Sequence, residues 1–268
     1  MQDQNFSAVQ DTLFIPLAAR VAVSRRFPEY FYDGTALKFQ NLEQVRAITA
    51  KSSEYSFIAS AARYCNMDRF TASFLNRYPA GNVVNLGAGL ETMNYRLDRP
   101  EAHFYSLDFP EVISLRERIL GTAENETQIG CDITGLSWTE ELNPEEPVMF
   151  IASGVFQYFK PETVSKLLRG LKSIFKNAEI VFDATNEVGI RYARRYVKKS
   201  GNKEAMMYFY INDGEKFAEE NGLELLELRG FYDEARRMIG KKLGIYTRVA
   251  MKVADDKKRT LLLHLKLN

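Results

Sequence analysis

The sequence predicts an α/β fold built on a seven-stranded, mostly parallel, doubly wound sheet. Three observations predict this fold. From Val83 onward, short apolar runs alternate with stretches of helical periodicity. The first of these runs ends in a glycine turn, Gly87-Ala88-Gly89. The second ends in Asp108, 19 positions after Gly89, and this spacing is typical of a strand, a turn, a helix and a second strand.

The first 80 residues precede this pattern and have a helical character. Val9–Ala22 is apolar with scattered charges, and Ser53–Leu75 carries apolar residues at helical spacing. Turn-forming residues follow at positions 78–82, YPAGN. We therefore divide the chain into an N-terminal helical cap, residues 1–80, and a larger domain, residues 81–268.

The larger domain has seven apolar segments of strand length. These segments are Val83–Leu86, His103–Asp108, Thr127–Cys131, Pro147–Ala152, Glu179–Asp183, Leu223–Leu228 and Thr260–Leu267. Helices are expected between them, and Pro110 and Gly222 suit a helix start and a helix end. The expected helices are Glu91–Leu97, Pro110–Leu120, Pro161–Phe175, Glu187–Lys199, Gly214–Asn221 and, with a more ambiguous pattern, Arg236–Ala254. Strands joined by helices pair in parallel through right-handed crossovers.

Small and acidic residues follow several of the predicted strands. They are Gly87, Asp108, Asp132, Ser153 and Asp183. Because ligands bind beyond the carboxyl ends of the strands in such sheets, these residues are expected to share one edge. Their convergence predicts a ligand site there.

The glycine turn favours a cofactor that contains adenosine but no diphosphate. Gly87 and Gly89 let a ligand approach the backbone, although a turn that merely needs glycine is the alternative. The dinucleotide fingerprint requires a third glycine, and the next residues are Leu90, Glu91 and Thr92. The helix start therefore need not bind a phosphate group.

Two aspartates are candidates for the nucleoside part of such a cofactor. Asp108 is placed to accept hydrogen bonds from both ribose hydroxyls, and the alternative is a helix N-cap before Pro110. Asp132 is placed to accept a hydrogen bond from the adenine amino group, with Ile133 packing against the ring. The alternative for Asp132 is an ordinary turn aspartate.

With these residues in place, the chain resembles the leucine carboxyl methyltransferase family of S-adenosyl-L-methionine (SAM)-dependent enzymes. This family includes polyketide O-methyltransferases of the tetracenomycin type. The matching segments are VVNLGAGLETMNYRL at 83–97, Ala62-Arg63 with Asp68, Leu107–Val112 with Arg116, Cys131-Asp132-Ile133 with Trp138, and Gly154–Phe159. The resemblance extends roughly from residue 30 to residue 183 and implies a Rossmann-like SAM methyltransferase domain.

The resemblance also implies roles for individual residues. Arg63 would pair with the carboxylate of the methionine end of SAM, for which a guanidinium is well suited; the alternative is a surface arginine. The turn Gly87-Ala88-Gly89 would pass under the methionine portion, with Ser153 near its amino group. Asp108 would hold the ribose, and Asp132-Ile133 the adenine.

The acceptor side is less well defined by the resemblance. Tyr158 would line the wall between cofactor and substrate, and a core tyrosine is the alternative. Tyr30–Asp33 resembles a segment that folds over the site in this family. The chain departs from the family at Ser153, where an acidic residue is usual. It also has Glu91-Thr92-Met93 where bacterial members have Asp-Thr-Arg.

A carboxyl acceptor is favoured for methyl transfer. A carboxylate is already ionised near neutral pH, so its methylation needs no general base, and neither His103 nor His264 lies near a candidate site residue. A lid insertion at 185–212 is expected after the Asp183 strand, and a solvated basic helix is the alternative. The basic residues of this insertion are Arg191, Arg194, Arg195, Lys198, Lys199 and Lys203, with Tyr192, Tyr196, Met206, Met207, Tyr208 and Tyr210 among them.

Composition limits the remaining classes. A net charge of +1 does not favour a nucleic-acid partner. The two cysteines, Cys65 and Cys131, form no disulfide framework, and the two histidines do not favour a metal site. No signal peptide or membrane span is recognised, so we expect a cytoplasmic enzyme that acts on a small-molecule carboxylate. The oligomeric state stays open.

The sequence therefore predicts a SAM-dependent O-methyltransferase, with a carboxylate of a small-molecule or polyketide-like substrate as the acceptor. Two alternatives stay open at this stage. One is a SAM-binding protein without transferase activity, and the other is a nicotinamide-dependent oxidoreductase.

Overall fold

A computed structural model describes residues 2–199 and 206–268 of the chain, and its side chains are described for residues 13–192, for Arg194 and for residues 206–268. Seven strands form one sheet in the order β3-β2-β1-β4-β5-β7-β6. The strands are β1 Asn82–Leu86, β2 His103–Asp108, β3 Glu126–Gly130, β4 Val148–Ala152, β5 Ala178–Thr185, β6 Glu224–Gly230 and β7 Thr260–Lys266.

Eleven α-helices lie within the described residues. They are α1 Gln2–Arg26, α2 Gly34–Leu37, α3 Glu43–Lys51, α4 Glu54–Arg77, α5 Met93–Leu97, α6 Pro110–Leu120, α7 Pro161–Ile174, α8 Glu187–Lys199, α9 Gly214–Glu220, α10 Asp233–Ile239 and α11 Ile245–Asp256. None of these helices combines the length and the apolar character that a bilayer-spanning segment needs.

The sheet is mostly parallel, as predicted. Strands β3, β2, β1, β4 and β5 pair in parallel, whereas β7 is antiparallel to both β5 and β6. All seven predicted strands are present, with ends shifted by one or two residues. The largest extension is at β5, which continues past Asp183 because Ala184 and Thr185 still pair with β7. Asp183 thus lies inside the strand rather than after it.

The stretch Arg236–Ala254, whose ambiguous pattern favours a helix, is helical over most of its length but is divided between two helices. This stretch contains the end of α10, a short 3-10 turn at Gly240–Lys242 and most of α11. Leu243 is buried in an extended conformation, and Gly244 is also extended at the start of α11. Burying Leu243 requires the chain to turn between the two helices, and helical periodicity alone does not show this.

Helices cover both faces of the sheet. The two inner strands β1 and β4 are buried along their whole length, which is typical of a parallel sheet between helical layers. On one face, Phe70 and Phe74 of α4 share a hydrophobic cluster with Val83 and Phe104 of the sheet. The N-terminal helices and the sheet therefore share one core.

Candidate functional site

The carboxyl ends of the five parallel strands lie at one edge of the sheet. The chain runs outward from β1 to β2 and β3, and then crosses back to β4 on the other side of β1. This reversal opens a crevice between the ends of β1 and β4, the place where ligands bind in open α/β sheets. The segments that follow β1, β2, β3 and β4 carry the predicted site residues to this edge.

The turn after β1 requires glycine for steric reasons. Gly87 has φ +71°, and a Cβ on this residue would lie 2.6 Å from Cγ2 of Val155, which follows β4. Gly89 has φ +50°, and the amide of Ala88 donates to the carbonyl of Leu107 over 2.8 Å. The turn therefore packs directly against the segment after β4, at the crevice between the two strands.

Asp108 ends β2 beside the glycine turn. Its Oδ2 accepts a hydrogen bond from the Gly89 amide at 2.8 Å, and its Oδ1 accepts one from the Phe109 amide at 2.8 Å. Burial raises the pKa of Asp108, and the two amides partly offset that rise. Phe109, not Asp108, occupies the N-cap of α6. Each carboxylate oxygen retains a lone pair for a further donor.

The structure gives Asp132 a local role in its own turn. Its Oδ1 accepts from the Thr134 amide at 2.9 Å and from the Thr134 hydroxyl at 2.8 Å, and the side chain caps the 3-10 turn Ile133–Gly135. Ile133 is buried in the core, and the Trp138 indole donates to its carbonyl at 3.0 Å. Asp132 itself is exposed. Oδ1 of Asp132 therefore has the hydrogen bonds of an ordinary turn aspartate, which was the alternative to adenine binding.

Arg63 of α4 joins the edge through a bridge to β5. Its Nη2 lies 3.1 Å from Oδ2 of Asp183, and the amide of Gly154 donates to Oδ1 of the same aspartate at 2.5 Å. Burial disfavours the charged Arg63, but the Asp183 carboxylate and three nearby tyrosines together outweigh burial and raise the pKa of Arg63. The Arg63 side chain is 25% exposed, so it is not a fully solvated surface arginine.

Two polar atoms near this bridge lack protein partners. Nε of Arg63 and Oγ of Ser153 are both buried and make no hydrogen bond within the protein. Buried polar groups usually have partners. These two atoms are therefore available to a ligand that carries polar groups into the crevice.

Two buried arginines support the glycine turn from behind, and sequence reasoning did not assign them this role. Arg20 of α1 donates to the carbonyl of Leu90 at 2.5 Å. Arg116 of α6 donates to the carbonyls of Gly89 and Glu91, at 3.2 and 2.5 Å. These contacts satisfy the carbonyl groups that the turn leaves unpaired. Arg20 lies in a segment whose sequence shows only apolar residues with scattered charges, so no local pattern indicates its partner.

A buried ion network continues from the turn into the N-terminal helices. Arg96 lies 2.6 Å from Glu91, 2.7 Å from Asp68 and 3.4 Å from Asp33, and Arg20 lies 3.3 Å from Glu91. Burial raises the pKa of Glu91, but the Arg96 and Arg20 guanidinium groups outweigh burial and hold that pKa below its ordinary value. Glu91, a departure from the family pattern, therefore has a structural partner set of its own.

The segment Tyr30–Asp33 takes part in this network. Asp33 is fully buried, caps α2 through the Ala36 amide at 2.7 Å, and accepts from the Thr92 hydroxyl at 2.6 Å. Tyr32, its neighbour, is 60% exposed. The segment thus contacts the back of the glycine turn through Asp33 and presents Tyr32 to solvent.

The segment after β4 lies beside the last part of the proposed lid insertion. Tyr158 is 42% exposed, so it is not a core tyrosine. The amide of Tyr208 donates to the carbonyl of Gln157 at 2.7 Å. Met206, Tyr208 and Tyr210 are exposed, whereas the residues between them are buried. Alternate side chains of this extended segment therefore form an exposed, largely aromatic face.

Only part of the predicted basic cluster lies among the described side chains. Arg191 forms an i, i+4 ion pair with Glu187 at 3.1 Å, and Arg194 donates to the carbonyl of Met207 at 2.7 Å. Arg195, Tyr196, Lys198, Lys199 and Lys203 lie outside the described side chains. Neither described arginine is positioned as an isolated cation.

The residues at this edge fit an adenosine cofactor with an amino-acid end better than a dinucleotide. Asp108 has carboxylate oxygens that could accept from ribose hydroxyls, and Arg63 and Ser153 have unsatisfied polar atoms that could bind a charged end group. The turn carbonyls of Gly89 and Glu91 are already bound by Arg116. Across the part of the chain that is described, no group of three or more His, Cys, Asp or Glu side chains is arranged to hold a metal ion.

The sheet order and the glycine turn define a Rossmann-like methyltransferase fold. The family model for leucine carboxyl methyltransferase matches residues 7–172, and the chain belongs to this family. It is therefore a SAM-dependent methyltransferase. Over 192 residues, 70% of each chain, it is 26% identical to the tetracenomycin polyketide synthesis O-methyltransferase TcmP of Streptomyces glaucescens.

Solved structures support the same fold. A DUF574 family protein from Streptomyces avermitilis MA-4680 superposes with a TM-score of 0.61 at 14% identity, covering 92% of this chain and 96% of that one. Magnesium protoporphyrin IX methyltransferase (ChlM) from Synechocystis PCC 6803, with bound S-adenosylhomocysteine (SAH), has a TM-score of 0.51 at 12% identity, covering 87% and 99%. At these identities the likeness concerns the fold alone.

Proposed function

We propose that this methyltransferase transfers the methyl group of SAM to a carboxylate of a small-molecule or polyketide-like acceptor. The observation that carries the carboxyl acceptor is the position of the two histidines. His103 begins β2, at the edge opposite Asp108, and bonds Thr127. His264 is buried against Glu179 at 2.7 Å. Neither histidine can act as a general base at the crevice.

The cofactor roles proposed for individual residues follow from their places at the edge. Asp108 holds the ribose hydroxyls with the lone pairs that Gly89 and Phe109 leave free. The turn Gly87-Ala88-Gly89 lies under the methionine portion. Arg63 binds the methionine carboxylate, and Ser153 accepts from the amino group. Asp132 reaches the adenine amino group through the oxygen that its own turn does not use, with Ile133 beside the ring.

Methyl transfer to a carboxylate requires these residues to position the reactants, and it does not require them to transfer a proton. SAM, when bound, supplies a methyl group on a positively charged sulfur. The protein must hold the acceptor oxygen in line with that methyl group and exclude water. A carboxylate is ionised near pH 7 and needs no base, whereas a phenol needs one. Tyr158, which is exposed and follows Gln157 in the chain, is proposed to lie between the acceptor and the cofactor.

The acceptor side is proposed to be formed by the helices of residues 1–80 and by a lid at 185–212. The exposed side chains of Met206, Tyr208 and Tyr210 support this proposal because the amide of Tyr208, between the other two, is hydrogen-bonded to the carbonyl of Gln157, next to Tyr158. Such a face suits an apolar or aromatic acceptor body. The carboxylate of the acceptor would then lie in the crevice, near the methyl group of the cofactor.

Cofactor binding is tested by thermal denaturation of the wild-type protein and of Asp108→Ala. We expect SAH to raise the melting temperature of the wild type by several degrees and NAD to leave it unchanged. Asp108→Ala removes the ribose acceptor, so SAH should no longer raise its melting temperature. Glu111→Ala, an exposed change three residues away, is the matched control. A full SAH shift in Asp108→Ala would overturn the ribose assignment.

The acceptor class is tested by turnover with paired carboxylic and phenolic compounds of matched ring size. A site without a general base should methylate a carboxylic acid at a rate that is flat from about pH 6 to pH 9, because the acceptor stays ionised. Phenol methylation should be absent or rise with pH. Faster phenol turnover with a pH plateau would contradict the carboxyl acceptor. SAH binding without turnover on either class would favour a SAM-binding protein.

A further inference from the structure

We propose that Asp183 is a positioning residue for cofactor binding: it holds the Arg63 guanidinium in the orientation that receives the carboxylate of the methionine end of SAM. The inference rests on the proposed function, because it takes Arg63 as the residue that binds this carboxylate. Asp183 itself does not touch the cofactor in this account. It acts through Arg63.

One carboxylate joins three elements of the site. Asp183 lies on β5 and is 7% exposed. Its Oδ2 forms an ion pair with Nη2 of Arg63 on α4 at 3.1 Å, and its Oδ1 accepts a hydrogen bond from the amide of Gly154 after β4 at 2.5 Å. Because each oxygen has a different partner, the carboxylate cannot rotate without losing one of these two contacts. The orientation of Arg63 is therefore coupled to the backbone after β4.

The position of Arg63 against Gly154 is also restricted by sterics. Gly154 has φ +74°, and a Cβ there would lie 3.1 Å from Nη1 of Arg63. The guanidinium thus occupies the space that a side chain at position 154 would need. On its other side it lies 5.9 Å from the centre of the Phe231 ring. The guanidinium of Arg63 could still rotate in this space. We infer that its ion pair with Asp183 sets the direction in which its N–H donors point.

The unsatisfied polar atoms show where a ligand would attach. Asp183 engages Nη2 of Arg63, while Nε is buried without a partner. Oγ of Ser153, one residue before Gly154, is also buried without a partner. A guanidinium has five N–H donors, so binding of Asp183 leaves donors for a second carboxylate. Pairing with Asp183 also reduces the cost of keeping this charge half-buried before the ligand arrives.

The test compares two nucleosides that differ in the methionine end. SAH has the amino-acid group, and 5′-methylthioadenosine lacks it. We expect Asp183→Asn to weaken SAH binding by about tenfold or more and to leave methylthioadenosine binding within about twofold. The amide keeps one acceptor oxygen, so either Arg63 or the Gly154 amide loses its partner. A general loss of structure would weaken both nucleosides equally and would overturn the proposal.

Two controls separate positioning from stability. Glu179→Gln alters a buried carboxylate at the opposite end of β5, paired with Arg77 at 2.5 Å, and should leave both affinities unchanged. In an Arg63→Ala background, Asp183→Asn should cause no further loss of SAH affinity. A further loss there would overturn the proposal, since Asp183 would then act independently of Arg63.

A second variant covers the case in which Asp183→Asn does not fold. Asp183→Glu keeps the charge but moves both oxygens, so it should show the same selective loss of SAH binding. Equal binding of SAH by Asp183→Glu and wild type would overturn the proposal. Wild-type protein that binds neither nucleoside would contradict the proposed function itself. Wild-type binding of both, with no selective loss in either variant, contradicts only the role of Asp183.

Discussion

Replacing Arg116 with methionine is expected to destabilise the protein by about 3–5 kcal/mol, as for other broken buried ion pairs. Arg116 is 1% exposed, and its Nη2 lies 2.6 Å from Oε1 of Glu126. The same guanidinium donates to the carbonyls of Gly89 and Glu91. Arg116→Met therefore leaves a buried carboxylate without its counter-charge and two turn carbonyls without donors. Urea unfolding followed by circular dichroism measures the loss.

Two companion variants make the Arg116 prediction specific. Arg118→Met changes an exposed arginine of the same helix and should alter stability by less than about 0.5 kcal/mol. The double variant Arg116→Met/Glu126→Gln should recover part of the loss, because it removes the unpaired buried charge. Additive losses in the double variant would contradict the ion-pair explanation. An unfolding midpoint for Arg116→Met equal to that of Arg118→Met would contradict the prediction.

Gly87→Ala is expected to abolish SAH binding and to destabilise the protein by about 2–5 kcal/mol. The added Cβ would lie 2.6 Å from Cγ2 of Val155, an overpacking that costs about 1–3 kcal/mol. The left-handed backbone at φ +71° costs about 1–2 kcal/mol more for a residue with a side chain. To relieve the contact, the glycine turn must move away from the segment after β4. The thermal shift with SAH and the urea midpoint report the two effects.

The chain offers a matched glycine for this experiment. Gly121 has φ +74°, but a Cβ there would meet no atom within 4 Å. The ψ of Gly121 is −165°, a backbone region that costs a residue with a side chain about 1–3 kcal/mol. Gly121→Ala should therefore show a backbone cost without a steric clash and should keep full SAH binding. Adding Val155→Ala to Gly87→Ala removes the clashing methyl groups and should restore part of the stability. If Gly121→Ala and Gly87→Ala behave alike, steric contact with Val155 is not the cause.

The sheet edge could be predicted from sequence because its signals are local. The glycine turn at 87–89, Asp108 and Ser153 stand where alternating strands and helices place them. The side-chain partners could not be predicted in this way. Arg63 and Asp183 are 120 positions apart in the chain, and their contact depends on how α4 packs across β5. Only the tertiary arrangement determines which carboxylate an arginine meets.

Other features that the sequence did not predict also depend on how distant parts of the chain pack together. Arg20 and Glu91 are 71 positions apart, and the sequence around Arg20 indicates only a helix. The break between α10 and α11 contains Gly240 and Gly244, which are poor helix formers, on either side of the buried Leu243. Asp132 was predicted with two alternatives, and the turn geometry of one of them is present. Periodicity predicts elements well, but it does not encode contacts between distant elements.

The arginines behind the glycine turn also affect what cofactor binding must accomplish. Arg20 and Arg116 fix the carbonyls of residues 89–91 from the side that faces the core. The conformational entropy of this turn is therefore lost when the chain folds, not when a ligand arrives. Binding energy at this part of the crevice need not be spent on ordering the backbone. If the turn binds the cofactor as proposed, the N-terminal helix that carries Arg20 contributes to cofactor affinity although its guanidinium is fully buried.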